Sequence, residues 1–307
     1  MDSVSVFLKN EKFSTTPGPR SPAIRLNYRD PPLYILTTAM TGPGIDEKLR
    51  RLHEYLADHS PMIISFSGGV DSGVMAAVAR DELGDDALAV LLKSPVIPER
   101  EIESAIKIAE SIGIGLEVLP VPLLEDPAFC SNPPDRCYLC KKHHAGVLSA
   151  YARDHGYSFI ADGLNASDLG ERRPGKRAGD EEGILHPFIA AGISKPEVRE
   201  IARIMRLSFA EKLPFSCLCT RVPYGESISP DLLARIGRAE DVLGELGFTQ
   251  FRVRAHGPVA RVEVIPGEME MAMEHRVWIV RRMKETGFIY VTLDLEGFRS
   301  GSMDEVF

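Results

Sequence analysis

Short apolar runs alternate with amphipathic stretches along the chain from residue 62 onward. The apolar runs, which we predict as strands, are Met62–Phe66, 87–92, 116–119 and Phe159–Ala161. The stretches between them, which we predict as helices, are 72–82, Glu99–Ile112 and 141–155. Strands that alternate with helices form a parallel sheet with right-handed crossovers, so the predicted fold class is α/β with a doubly wound parallel sheet. Ligands of such folds bind beyond the carboxyl ends of the strands.

The turn after the first predicted strand has the sequence Ser-Gly-Gly-Val-Asp-Ser and leads into an alanine-rich helix. In this strand–turn–helix context the backbone N–H groups form an anion nest at a helix N-terminus. The residues that we expect to bind nucleotide phosphates are Ser67, Gly68, Gly69, Val70, Asp71 and Ser72. The carboxylate of Asp71 suits such a site if Mg²⁺ bridges it to the phosphates. The turn is similar to the SGGxDS loop of ATP pyrophosphatases, which implies ATP as a cofactor and a catalytic role for Asp71.

A second loop, residues 162–168, follows the predicted strand Phe159–Ala161 and should lie at the same edge of the sheet. Gly163 would allow a nucleotide to approach closely, and Asp168 would bind Mg²⁺ or hold a substrate. The alternative is an Asx-rich turn that caps the next element.

Four of the five cysteines form two close pairs, Cys137 with Cys140 and Cys217 with Cys219, and Cys130 is the odd one. In a chain without secretion signals this pattern indicates metal or sulfur chemistry rather than disulfides. Four thiolates would hold a structural zinc ion, whereas three would leave one iron of a [4Fe–4S] cluster open to an external ligand. Buried, unligated cysteines are the simplest alternative.

A cationic set follows residue 214 and contains Arg221, Arg252, Arg254, His256 and Arg261. Arg252 and Arg254 alternate on a predicted strand, so both project from the same face. Two guanidinium groups on one face suit a phosphate or carboxylates, and solvated surface arginines are the ordinary alternative.

The composition bounds the remaining possibilities. The chain has 307 residues and a formal net charge of −8, which argues against a general nucleic-acid binder. No secretion signal or long apolar run is present, so the expected location is the cytoplasm, away from membranes.

We predict a loosely ordered leader over 1–39, with Met40 as a possible true start, an ATP-binding domain over 40–213 and a smaller α/β domain over 214–307. The elements predicted at either end are helix 45–60, helix 230–246, strands 251–255 and 260–265, helix 268–284 and strand 288–293.

Over roughly residues 41–307 the chain resembles the LarE family of ATP-dependent sulfur transferases. The blocks that carry the resemblance are 67–72, 132–141, 162–175, 217–221, 251–257 and 294–302. The resemblance implies an enzyme that adenylates the carboxylates of pyridinium-3,5-biscarboxylic acid mononucleotide and converts them to thiocarboxylates, for the nickel-pincer cofactor of lactate racemase. It implies that Arg221, Arg252 and Arg254 hold this small-molecule substrate. A homo-oligomer is a further possibility.

The source of the sulfur divides the family, and Cys217 and Arg221 are the expected catalytic residues in either case. Some members sacrifice one cysteine at the position of Cys217 and are left with dehydroalanine. This chain departs from that pattern at Cys219, where those members have a small residue, and it also has the Cys137/Cys140 pair. The departure favours a [4Fe–4S] cluster held by three of the cysteines 137, 140, 217 and 219.

Two other functions share parts of this pattern. A tRNA thiolase has the same loop and clustered cysteines, although the net charge of −8 is unfavourable for RNA binding. A non-catalytic, cluster-bearing ATP sensor would bind nucleotide without releasing pyrophosphate, and the carboxylates of Asp71 and Asp168 argue for chemistry instead.

Overall fold

The computed structural model describes residues 43–170, 174–299 and 301–303, so the predicted leader 1–39 lies outside the described residues. The helices are α1 (Pro43–Ala57), α2 (Val70–Leu83), α3 (Glu99–Ile112), α4 (Pro127–Cys130), α5 (Arg136–His155), α6 (Pro174–Glu181), α7 (Pro187–Ala190), α8 (Lys195–Ile204), α9 (Pro230–Glu245), α10 (Met269–Glu274) and α11 (Arg276–Glu285). The strands are β1 (Met62–Phe66), β2 (Ala87–Lys93), β3 (Gly115–Pro120), β4 (Phe159–Ala161), β5 (Phe251–His256), β6 (Val259–Val264) and β7 (Tyr290–Leu293). Short 3₁₀ turns cover Gly84–Asp86, Leu123–Glu125, Ala166–Gly170, Leu218–Arg221 and Pro266–Glu268.

The first four strands form one parallel sheet in the order β3-β2-β1-β4. The central strands β1 and β2 are buried along nearly their whole length, as expected for apolar strands covered on both faces. The edge strand β3 is mostly exposed. The predicted α/β class, with a parallel sheet and a smaller C-terminal sheet region, is confirmed.

Each face of this sheet belongs to a different hydrophobic core. Ile64 and Leu91 pack with apolar residues of α1, α2, α3 and α8. Ile63 and Val90 pack in a second core that also contains α5, α9 and the C-terminal strands. This second core extends across residue 214, and the division of the chain into domains at that point stays a prediction.

The C-terminal sheet has the order β5-β6-β7, in which β5 and β6 are antiparallel and β6 and β7 are parallel. The single helix predicted over 268–284 was wrong. His275 adopts φ −90° and ψ 8°, which interrupts the helical repeat and separates α10 from α11. The break lets Ala272 on α10 and Met283 on α11 both reach the core.

Two helix boundaries matter for the site. Helix α5 begins at Arg136 rather than at residue 141, so Cys137 and Cys140 lie three residues apart on one helix face. Helix α8 was not predicted, although Ser194 and Glu197 form a capping box at its start and Val198 and Ile201 give it a buried face. In the described segments no helix has the length and apolar character needed to cross a bilayer.

Candidate active site

The loop between β1 and α2 is held closed by its own hydroxyl groups. Ser72 Oγ accepts a hydrogen bond from the Ser67 backbone N–H at 3.2 Å, and the two hydroxyl oxygens lie 3.0 Å apart. The N-cap residue of α2 is Gly69, which has no side chain to cap the helix. The N–H groups of Val70, Asp71 and Ser72 therefore remain available to an anion at the start of α2.

Gly68 allows the loop to pass directly against α3. It has φ 69°, and a Cβ at this position would lie 2.5 Å from the Cβ of Ala105. Both the backbone conformation and the close approach require glycine here. The backbone oxygen of Gly68 accepts a hydrogen bond at 3.1 Å from Lys212 Nζ, and this bond connects the loop to the segment that precedes Cys217.

Asp71 is only partly satisfied by protein groups. Its Oδ2 accepts from Lys195 Nζ, whereas its Oδ1 is buried and has no hydrogen-bond partner among the described residues. A buried carboxylate oxygen of this kind, placed beside a phosphate nest, suits a divalent cation. The residues present therefore fit Mg²⁺ bound together with a nucleotide.

The loop after β4 reaches the nucleotide loop by backbone contact. A Cβ on Gly163 would lie 2.8 Å from the backbone nitrogen of Ser72, so glycine is needed for the two loops to touch. Asp168 is buried, and its Oδ2 accepts from the Asn165 N–H at 2.9 Å, while Asn165 Oδ1 accepts from the Ser167 N–H at 3.1 Å, which is the contact expected of an Asx turn. Ser167 Oγ accepts from the backbone N–H of Lys195 at 3.1 Å, so this turn supports the lysine that pairs with Asp71.

A charged network that sequence reasoning missed surrounds Asp162 at the end of β4. The carboxylate lies 2.7 Å from His186 Nδ1 and 3.3 Å from Lys141 Nζ. Burial alone would raise the pKa of Asp162, but the bond to His186 and the charge of Lys141 outweigh it and lower the pKa. The network joins the cysteine-bearing helix α5 to the edge of the sheet where the nucleotide loop lies.

The cysteines converge from two separate segments. Burial, reinforced by the negative charges of Cys217 and Cys137, raises the pKa of Cys140 to about 12. A hydrogen bond from the Cys219 thiol outweighs burial at Cys217 and, together with the charges of Arg136 and Arg221, lowers the pKa of Cys217. Cys219 itself is 1% exposed, and donation of this bond, together with burial, raises its pKa. Cys217 is thus the thiol held closest to its anionic form.

Whether this set suits a [4Fe–4S] cluster depends on donor type and arrangement. The donor type fits, because thiolates are the soft ligands that iron–sulfur clusters take and Cys140 and Cys217 pack against the same core. Within residues 43–170, 174–299 and 301–303, however, no three His, Cys, Asp or Glu side chains are arranged to hold a metal ion. The thiols share a neighbourhood without forming an assembled ligand set.

Arg221 is fully buried and fully engaged by protein groups. Its Nε donates to Glu240 Oε1 at 2.7 Å, and its Nη1 donates to the Ser216 and Cys217 backbone oxygens at 2.7 and 3.0 Å. Its exposure of 0% leaves no face for a ligand. In this arrangement Arg221 holds the turn that carries Cys217, and direct contact with a substrate would need these bonds to break.

Arg252 and Arg254 lie on one face of β5, as predicted, but their surroundings differ. Arg254 is buried and pairs with Glu263, which is also buried, at 2.8 Å. Arg252 is half-buried, stacks over Phe298 at 4.9 Å and forms no salt bridge with any described residue. Burial and the charges of Arg221 and Arg254 lower the pKa of Arg252 to about 10. A desolvated guanidinium without a counter-ion is a site for an anion.

Sequence comparison decides the family. Over 251 residues the chain is 33% identical to the pyridinium-3,5-bisthiocarboxylic acid mononucleotide synthase of Lactiplantibacillus plantarum, an alignment that covers 81% of this chain and 91% of that protein. The chain belongs to the LarE family. It is also 38% identical to an uncharacterised Synechocystis protein, over 85% of this chain and 98% of that one, and 31% identical to an uncharacterised Methanocaldococcus jannaschii protein, over 83% and 98%.

A family model described as NAD synthase matches residues 46–126, the part of the chain that contains the nucleotide loop and α3. NAD synthase domains are ATP pyrophosphatases. Together with the LarE relative, this match makes the chain an ATP-dependent, adenylating sulfur transferase.

Within this LarE enzyme, the structure joins Asp71, Ser72 and Gly163 directly, and it adds two lysines that the sequence analysis missed. Lys195 would have been found through the capping box at the start of α8, because Ser194 and Glu197 mark that helix N-terminus. Lys212 carries no local signal, since its contacts with Gly68 and Ser104 are made across more than one hundred residues.

Proposed function

We propose that this LarE enzyme adenylates the two carboxylates of pyridinium-3,5-biscarboxylic acid mononucleotide and converts them into thiocarboxylates for a nickel-pincer cofactor. The L. plantarum relative is named for the bisthiocarboxylic acid product of such a reaction. The observation that carries the proposal is Arg252, a half-buried cation without a carboxylate partner among the described residues, whose Nη2 lies 3.3 Å from Ser216 Oγ beside Cys217. An anionic substrate held there would lie next to the turn that carries the sulfur chemistry.

In the first step a substrate carboxylate oxygen attacks the α-phosphorus of ATP. The bond from that phosphorus to the bridging oxygen breaks, and pyrophosphate leaves with the electron pair, so no proton changes place. The open N–H groups of Val70 and Ser72 are positioned for the departing charge, and the Lys195 ammonium group partly neutralises it. Asp71 would hold the Mg²⁺ ion, which would supply further positive charge beside the pyrophosphate.

In the second step sulfur attacks the acyl carbon and AMP leaves with the electron pair. Arg252 would orient the substrate by its phosphate or its second carboxylate. Arg221 acts indirectly, because it fixes the backbone oxygens of Ser216 and Cys217. Repetition on the second carboxylate completes the product.

We propose that Cys137, Cys140 and Cys217 would hold a [4Fe–4S] cluster, which would supply the sulfur as sulfide once the three thiols are drawn together. Cys219 is then the buried hydrogen-bond donor to Cys217 rather than a ligand. The competing source is Cys217 itself. In that case its Cα proton goes to a base, its Cβ–Sγ bond breaks, the sulfur stays on the substrate and dehydroalanine remains.

The test uses protein purified without oxygen and supplied with the mononucleotide, ATP and Mg²⁺. We expect substrate-dependent pyrophosphate release, and a product in which sulfur replaces one oxygen of each carboxylate. Pyrophosphate release without sulfur incorporation would contradict the transferase step, and nucleotide binding without release would indicate a sensor. Protein that contains iron and sulfide in cluster proportions and turns over repeatedly supports the cluster. Iron-free protein that loses one sulfur from Cys217 after a single turnover would contradict the cluster and identify Cys217 as the sulfur source.

A further inference from the structure

Helix α3 touches both halves of the candidate site. Its Ala105 packs against Gly68 of the nucleotide loop, where a Cβ would lie 2.5 Å from the Ala105 Cβ. Arg100, the second residue of the same helix, reaches into the C-terminal part of the chain. One guanidinium nitrogen donates to Glu240 Oε2 at 2.9 Å, and another donates to Asp241.

Glu240 is a buried junction between three segments. It is 0% exposed and receives Arg100 from α3, Arg221 Nε from the Cys217 turn at 2.7 Å, and the Val253 N–H from β5 at 3.3 Å. Burial alone would raise the pKa of Glu240, but the charge of Arg221 and its hydrogen bond, followed by the charge of Arg100, lower it. A charged carboxylate in this position needs both arginines to remain stable.

A continuous chain of charge-assisted hydrogen bonds therefore runs from α3 to Cys217. Arg100 holds Glu240, Glu240 holds Arg221, and Arg221 donates to the Cys217 backbone oxygen at 3.0 Å. We propose that Arg100 is a positioning residue for sulfur transfer, which keeps the Cys217 turn aligned with the adenylate formed at the nucleotide loop. The inference rests on the proposed function, because it assigns adenylation to the α3 end of this chain of hydrogen bonds and sulfur transfer to the Cys217 end.

The geometry separates adenylation at the nucleotide loop from sulfur transfer at the Cys217 turn. Arg100 makes none of the contacts of the Ser67–Ser72 nest, so removal of its charge leaves the binding of ATP and Mg²⁺ in place. Without Arg100, Glu240 Oε2 loses its partner on α3, and the turn held by Arg221 is no longer fixed relative to that helix. A displacement of the order of 1 Å between reacting groups lowers a rate by about 100-fold. The sulfur step should therefore suffer and adenylation should not.

The experiment compares Arg100→Gln and Arg100→Lys with a control on the same helix, Lys107→Gln. Lys107 and Arg100 both line a cavity of 470 Å³ between α3 and residues 208–212, and Lys107 makes no salt bridge in the described part of the chain. Three quantities are measured on the protein as isolated: substrate-dependent ATP–pyrophosphate exchange, thiocarboxylate formation in a single turnover, and the rate of amide hydrogen exchange in the peptide that spans residues 216–221, read by mass spectrometry.

For Arg100→Gln we expect ATP–pyrophosphate exchange within about twofold of the wild type, thiocarboxylate formation lower by about 10- to 100-fold, and faster amide hydrogen exchange in residues 216–221. Arg100→Lys should fall between these values, and Lys107→Gln should match the wild type. Equal loss of exchange and thiocarboxylate formation, or loss of neither, would overturn the proposal for Arg100.

Failure of the proposed function gives a different result. A wild-type protein without substrate-dependent ATP–pyrophosphate exchange would contradict the proposed substrate, whereas the amide hydrogen exchange rates of residues 216–221 would still report whether Arg100 fixes the turn. If Arg100→Gln does not fold, as judged by thermal unfolding, the test uses Arg100→Lys, which retains the charge. A lower ratio of thiocarboxylate formation to ATP–pyrophosphate exchange than in the wild type then supports the proposal, and an unchanged ratio contradicts it.

Discussion

Lys195 pairs with Oδ2 of Asp71 beside the nucleotide loop, while the other oxygen of that carboxylate is buried and has no partner in the part of the chain that the structure describes. The lysine begins helix α8, and Asp71 lies in the first turn of α2. The two residues are separated by 124 positions in the sequence. This pair places one cation beside the phosphate nest and leaves one carboxylate oxygen for a second, divalent cation.

Replacement of either partner should therefore disable adenylation. We expect Asp71→Asn and Lys195→Met each to lower substrate-dependent ATP–pyrophosphate exchange by about 10²- to 10³-fold, because Lys195 supplies positive charge beside the developing pyrophosphate and Asp71 would hold Mg²⁺ there. Asp71→Asn should also weaken the dependence on Mg²⁺, measured by titration of the metal. Lys48→Met is the matched control, because Lys48 pairs with Glu197 at the start of α8 and does not touch the loop. ATP–pyrophosphate exchange at the wild-type rate in Lys195→Met would show that the lysine does not take part in adenylation.

Gly163→Ala should prevent ATP binding while the core stays folded. The new methyl group would lie 2.8 Å from both the Asp71 carbonyl carbon and the Ser72 nitrogen, so the nucleotide loop would have to move. Gly146→Ala is the control, since its methyl group meets nothing within 4 Å in the interior of α5. We expect it to raise the free energy of unfolding by about 0.5–1 kcal/mol and to leave binding unchanged. ATP affinity from calorimetry compares the two variants, and equal affinities would show that the loop tolerates the methyl group.

Arg252 and Arg254 should behave oppositely, although they share one strand face. Arg254→Ala removes the closest ion-pair partner of the buried Glu263, which keeps contacts at 3.1 Å with Arg261 and with the Ser302 hydroxyl, and we expect a loss of about 3 kcal/mol in the free energy of unfolding. Arg252→Gln removes no salt bridge among the described residues, so stability should change by less than about 1 kcal/mol. Its KM for the mononucleotide in the exchange assay should rise at least about tenfold. Urea unfolding and exchange kinetics measure both effects, and an unchanged KM for Arg252→Gln would contradict the proposed anion site.

The start of α8 should lose stability in acid. Burial would raise the pKa of Glu197, but the ion pair with Lys48 and hydrogen bonds from Ser194 outweigh it and lower the pKa to about 2. The folded-state pKa is below the unfolded value of about 4.3, so the contribution is complete above that pH and disappears as the pH falls towards 2. Near neutral pH, Glu197→Gln should be about 1–2 kcal/mol less stable than the wild type in urea unfolding. The difference should shrink steadily between about pH 4.5 and pH 2, and a difference independent of pH would show that the carboxylate charge is not its cause.

The strand–loop–helix unit around Ser67–Ser72 could be predicted from the sequence because its determinants are local. The apolar run Met62–Phe66, the paired glycines and the helical segment that follows are contiguous, and each follows a short-range rule of backbone conformation or periodicity. The same holds for β2, β4 and α3, whose observed bounds lie within one residue of the predicted ones. The LarE-like blocks pointed to the same function by resemblance.

The roles of individual arginines could not be predicted in this way. Arg221, Arg252 and Arg254 are alike in the sequence, yet Arg221 and Arg254 are bound by the buried carboxylates of Glu240 and Glu263, and Arg252 is not. The spacing of residues within one strand predicts only which side chains share a face.

The sequence by itself therefore determined the sheet, the phosphate nest and the class of chemistry, since these depend on contiguous residues. The tertiary structure decided which charges remain available to ligands. Charges are neutralised by whatever group lies within a few ångströms in space, and the groups that pair with Asp71, Gly68 and Glu240 come from more than one hundred residues away, through Lys195, Lys212 and Arg100.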